Sequence, residues 1–338
     1  MSKRIVLIIF VAVVLAGCAS DRQEGGRTGT IQIDGSSTVF PITEAVAEEF
    51  MRDHRGIRVT VGVSGTGGGF SKFLRGETDI NNASRAITTT ELELASQNGI
   101  SFIEIPVAYD GIAVVVHPSN DWAACLTIDE LDRIWEAGST ISSWSEVRDG
   151  FPDRPISLYG PGTDSGTYDY FIRTVTSVEG GSRSDFTASE DDNVLVQGIA
   201  GDPGALGFFG FAYYDNNRDR LNLVGIDSGE GCVEPSLETV RDGEYQPLSR
   251  PEFIYVRADR ADDPAVAEFV HFYIEHAATL AAEVGYIPLD PEAYNITRTN
   301  FDERVEGTVF GGDEARPGMR VVETLQAHYG SSIDDSAR

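Results

Sequence analysis

Lysine is almost missing from this 338-residue chain: Lys3 and Lys72 are the only two, and nearly all of its positive charge is arginine. Against 54 acidic residues the 26 basic ones leave a formal net charge of −28. A surface of that sign argues against nucleic acid or an anionic membrane surface as a partner. It suits a protein kept soluble in high salt. It also repels any anionic ligand from afar, a repulsion that salt screens within about 10 Å. Long apolar runs are lacking too, because residues 5–16 form a stretch of about a dozen, too short for a permanent membrane span. The five histidines, His54, His117, His271, His276 and His328, show no ligand spacing, so neither a metal site nor a cofactor is expected.

Several nucleotide and hydrolase signatures are absent as well. There is no G-x-x-x-x-G-K-[ST], since Lys72 follows Ser71. Gly65-x-Gly67 is followed by Phe70 where a dinucleotide fingerprint needs a third glycine. "GTDSG" does not fit the nucleophile elbow G-x-S-x-G.

The basic start Ser2-Lys3-Arg4 and the apolar run after it read as an export signal. Leu15-Ala16-Gly17-Cys18 closes that run and resembles the lipobox of bacterial lipoproteins, which would make Cys18 the lipidated first residue. The alternative is an ordinary signal peptide with an incidental cysteine. On the first reading the chain is extracytoplasmic and lipid-anchored, with residues 19–29 as a tether. About 320 residues remain, enough for two lobes. Cys125 and Cys232 also remain, both in loop-like sequence, and in an exported protein they either pair or stay two separate buried thiols.

Strand-like and helix-like runs alternate almost throughout, which predicts an α/β class. One pattern occurs three times: a strand, a Gly/Ser/Thr loop, then an amphipathic helix. The loops are "DGSST", "VSGTGGG" and "GPGTDSGT". The runs "IPVAYDGIAVVVHP" and "RPEFIYVR" are long, apolar and bounded by prolines, and are read as strands crossing between lobes. Lobe one is then residues 30–107 plus 253–310, lobe two residues 108–252, and residues 311–338 a polar tail with one short amphipathic stretch.

Helix N-termini present unpaired N–H groups and about half a positive charge. Three of them converging would hold an anion without any basic side chain, with glycines admitting close approach and hydroxyls adding donors. For a single loop, a turn capped by its own hydroxyl explains the composition equally well.

Taken together, "DGSSTVFPITEAVAEEF", "SGTGGGFSKFLRGETDINNASRAI", "GTDSGTYDYF", "GALGFFGFAYY", "YQPLSRPEFIYV" and "VGYIPLDPEAY" resemble, in order and spacing, the phosphate-binding proteins of bacterial ABC phosphate transporters. The resemblance implies a two-lobed, hinged type II periplasmic-binding-protein fold, monomeric, that closes on one inorganic phosphate and serves ABC permease subunits. It implies ligand contacts at Ser37, Thr38 and Val39, at Ser64 and Thr66, and at Ser165, Gly166 and Thr167. Two positions depart from the family. Arg85 stands where many members carry Asp in Ala-Ser-Asp, and Pro161 where an arginine precedes Ser-Gly-Thr. Arg85 is therefore expected to supply the guanidinium, with a surface charge as the alternative, and Asp164 or Asp110 to accept the phosphate proton. Rival readings are a receptor for sulfate or molybdate, a phosphate sensor or scavenger without a transporter, and a secreted hydrolase using Ser165.

Overall fold

The structure is a computed structural model that describes residues 28–163, 165–177, 181–189, 191–312 and 320–336. Cys18 and the export signal lie outside the described residues, as does Asp164. In chain order the elements are β1 (Gly29–Gly35), α1 (Phe40–Asp53), β2 (Ile57–Val61), α2 (Gly65–Phe73), β3 (Ile80–Ala83), α3 (Thr89–Asn98) and β4 (Phe102–Val116). Then come β5 (Cys125–Thr127), α4 (Ile128–Trp135), β6 (Ser157–Gly160), α5 (Gly166–Val175), β7 (Thr187–Ala188), α6 (Asp192–Gly201), β8 (Ala205–Gly210) and α7 (Phe211–Asp215). The chain continues through β9 (Asn222–Asp227), β10 (Cys232–Val233), α8 (Leu237–Arg241), β11 (Ser249–Arg257), α9 (Pro264–Glu283), α10 (Pro291–Asp302) and α11 (Val321–Ser336).

The strands follow the path β2-β1-β3-β11-β4-β8-β6-β7. β1 runs parallel to β2 and β3, while β11 is antiparallel to both β3 and β4. The first half of β4 pairs with β11, and its second half, Ile112 to Val116, pairs with β8. Both proline-bounded runs thus pass from one lobe to the other. β4 can be apolar over most of its length because nearly every residue in it is buried, as expected of a strand covered on both faces.

The buried apolar residues form one continuous cluster that extends through both halves of the chain. α1 starts with Pro41 in its first turn, where the missing N–H costs nothing, and buries Ile42, Val46, Ala47 and Phe50. Phe50 meets Phe269 of α9 edge to face at 5.2 Å. In the other lobe Trp135 packs edge-on against Phe208 and Phe171, whose own rings stack at 3.8 Å. Aromatic contacts of this kind add about 0.5–1.5 kcal/mol each beyond burial.

The segment expected to be a polar tail behaves differently from residue 320 on. Val321 and Leu325, one helical turn apart on α11, are both buried, and the Val321 amide donates to Tyr109 Oη at 2.9 Å. Arg320 pairs with Asp242 at 3.0 Å. Two apolar residues at i and i+4 suffice to dock a short helix whose other faces are polar.

Cys125 and Cys232 form a disulfide rather than two separate thiols. It joins β5 and β10, which flank β9 on either side, and closes a loop with a sequence separation of 107. Replacing both cysteines by serine is expected to lower the unfolding free energy by about 2–4 kcal/mol. A shift of the urea midpoint to lower concentration checks this, and an unchanged midpoint refutes it.

Candidate functional site

The first loop leaves β1 at Gly35 with φ of 138°, a conformation in which a side chain is strained. A Cβ there would also lie 2.2 Å from the Asn82 carbonyl. Ser36 then bonds inward: its amide donates to Asn82 O at 3.0 Å, and its Oγ accepts from the amides of Thr38 at 3.1 Å and Val39 at 3.4 Å. Val39 is fully buried and, unlike Ser37 and Thr38, is not among the residues that line the adjoining cavity. The third loop is built alike, with Ser165 Oγ capping α5 by accepting from the Thr167 amide at 3.2 Å.

These two loops abut. A Cβ on Gly166 would sit 2.3 Å from Thr38 Oγ1 and 2.7 Å from Thr38 N, so the approach requires glycine. The amino ends of α1 and α5 consequently face one cavity of about 490 Å³, lined by Ser37, Thr38, Asp110, Ser165, Gly166 and Thr167 among others. Two partial positive charges thus meet at one place.

The second loop is not part of that lining. Ser64 Oγ is hydrogen-bonded to Asp34 Oδ1, and Lys72 Nζ holds the other oxygen of the same carboxylate at 2.6 Å. Thr66 Oγ1 accepts from the Ser84 amide at 3.1 Å and pairs with Ser84 Oγ at 3.0 Å. Their polar groups are committed within lobe one. The cavity is therefore built from two loops, where the repeated pattern predicts three.

Arg85 is also placed otherwise than expected. Its guanidinium forks onto Glu91 at 2.8 and 2.9 Å, and Glu91 in turn completes the capping box of α3 with Thr88. Arg85 Nη1 also donates to the Ala86 carbonyl at 3.1 Å, and Arg85 is not among the residues lining the cavity. The guanidinium beside the cavity belongs to Arg250, which sequence reasoning missed.

Arg250 lies on β11 directly opposite Asp110 of β4. Its Nη2 donates to Thr38 Oγ1 at 3.1 Å and lies 3.5 Å from Asp110 Oδ2. Its Nε is 3.0 Å from Glu252, two residues along and so on the same face of the strand. The guanidinium stacks over the Tyr170 ring at 3.6 Å from its centroid. Burial pushes the Asp110 carboxyl up from its ordinary value, against the pull of Arg250. The run "YQPLSRPEFIYV" holds this residue, but only the register of β11 on β4 reveals its partner.

Residues 20–276 match the family model described as a PBP superfamily domain. Protein SphX of Synechocystis sp. is 48% identical over 316 residues, covering 93% of both chains. Phosphate-binding protein PstS of Staphylococcus saprophyticus is 34% identical over 300 residues, covering 87% of this chain and 92% of that one. Among solved structures, a possible phosphate binding protein from Planctomyces limnophilus superposes with a TM-score of 0.79 at 46% identity, over 82% of this chain and 99% of that one.

Gly166→Ala is expected to destabilise the protein by about 1–3 kcal/mol, as overpacking does, because the new methyl meets Thr38 backbone as well as its hydroxyl. Chemical denaturation measures it; a neutral result would mean that the two loops part freely.

Proposed function

The chain belongs to the PBP superfamily and, within it, to the phosphate-binding proteins, and from that premise we propose that it is an extracytoplasmic receptor for inorganic phosphate. It closes on one phosphate by hinge motion about β4 and β11 and delivers it to the membrane subunits of an ABC permease. It acts as a monomer, is held at the membrane through lipidated Cys18, and catalyses no reaction. The observation that carries the reading is the meeting of the α1 and α5 amino ends at one cavity, with the Arg250 guanidinium immediately behind Thr38. Against a hydrolase, Ser165 Oγ serves as a helix cap and no histidine is among the residues lining the cavity.

In this reading the hydroxyls of Thr38, Ser165 and Thr167 and the amides of Val39, Gly166 and Thr167 donate to phosphate oxygens. Ligand oxygens take over the acceptor role that Ser36 Oγ and Ser165 Oγ fill toward those amides. Arg250 supplies the full positive charge. Asp110, which lines the cavity, accepts the proton that phosphate retains near neutral pH. Sulfate has no such proton, so the carboxylate would face it as an unpaired charge. Salt screens the repulsion from the −28 surface while leaving the buried contacts largely intact.

Calorimetric titration of the mature chain, stripped of anion, is expected to give one tight phosphate site that excess sulfate does not displace. Equal or better sulfate binding would assign the site to another oxyanion. Asp110→Asn is expected to reduce the phosphate-over-sulfate preference by about 100-fold or more. Arg250→Gln is expected to cost at least about 100-fold in phosphate affinity, and Arg85→Ala less than about threefold. The reverse order of the two arginine variants would return the charge to Arg85.

A further inference from the structure

Glu252 is wholly buried beside the site, 0% exposed, and its contact with Arg250 Nε at 3.0 Å is its one charged neighbour within ion-pair distance among the described residues. Neither of its oxygens has a well-formed hydrogen bond. The groups that face the cluster come from several elements. Asp110 comes from β4, Arg250 from β11, Tyr170 from α5, Tyr273 from α9, Tyr286 from just after α9 and Asp192 from α6. The tyrosines are all held neutral by burial.

One guanidinium thus serves two buried carboxylates. With both ionised the trio carries a net charge of −1 before any ligand arrives, and Asp192 and Glu283 line the same cavity. The two helix ends return about half a positive charge each. Adding a divalent oxyanion to two ionised carboxylates in a dry site stacks like charges that Arg250 alone cannot offset. One carboxylate must be neutral when the ligand is in. Geometry selects which: Asp110 reaches the cavity, while Glu252 sits behind Arg250 and does not line it.

We propose that Glu252 is the carboxylate that is neutral when the oxyanion is bound, so that above its ionisation in the free protein capture of phosphate draws a proton from bulk water and release returns it. The inference rests on the phosphate reading of the site. Burial pushes the Glu252 carboxyl well above the ordinary carboxylate range, opposed by Arg250 and reinforced by the charge of Asp110. Raised in this way, the carboxyl is neutral at low pH and ionises as pH rises. Affinity is therefore kept at low pH and lost toward high pH, at about tenfold per pH unit between the ionisations of the free and the bound states.

Phosphate titrations of the mature wild type and of Glu252→Gln from pH 6 to pH 10 test this, because the ionisation of phosphate itself is common to both and cancels in the ratio. The ratio of dissociation constants, wild type over variant, is expected to rise by at least about tenfold across that range. A constant ratio overturns the coupling while leaving the phosphate site standing; no phosphate binding by the wild type at any pH overturns both. If the glutamine variant does not fold, infrared difference spectra of wild type labelled with carbon-13 in its glutamates, bound minus free at pH 8, read the same event. A label-sensitive protonated carboxyl band that appears on binding supports it, and its absence overturns it.

Discussion

The antiparallel register of β11 on β4 is the constraint on which the rest depends. It sets Arg250 opposite Asp110, and by strand alternation it puts Glu252 on the same face as Arg250. The same two strands link the two halves of the sheet, since β11 also pairs with β3 and β4 with β8. The charged pair therefore sits on the strands that join those halves. A one-residue slip would turn Arg250 to the opposite face and away from Thr38.

Burying one arginine with two carboxylates is a poor way to stabilise a fold. Desolvation of each ion costs several kcal/mol, and well-packed apolar residues of similar volume commonly do as well or better. The core already supplies apolar burial, through Phe50 and Phe269 on one side and Trp135, Phe171 and Phe208 on the other. The polar cluster lies beside the cavity instead, in a protein of net charge −28. Tyr170 contributes its ring face, which stabilises the cation without adding a charge that would compete with the ligand.

The loops at the cavity follow the same economy. Helix N-termini need acceptors whether or not a ligand is present, and Ser36 and Ser165 meet that need from within their own loops. Both loops are thus self-capped turns that also line the cavity. The second loop has the same composition but spends its hydroxyls on Asp34 and Ser84. Composition cannot separate these cases, because what differs is the neighbour each hydroxyl finds.

Local properties were decided by the sequence alone. The α/β class, the amphipathic helices led by Pro41 and by the Ser165 cap, and the two long apolar crossing strands follow from periodicity, burial demand and capping chemistry within a few residues of each position. The resemblance of its motifs marked all three loops, of which the first and third line the cavity and the second does not. Tertiary structure decided what depends on pairing between distant segments. It joined Cys125 to Cys232, docked α11 through Val321 and Leu325, tied Arg85 to Glu91, and brought Arg250 to Thr38 across 212 residues of chain. A charge in a sequence carries no information about its partner until strand register and burial assign one, and in this chain that assignment distinguishes the arginine beside the cavity from the arginine at a helix cap.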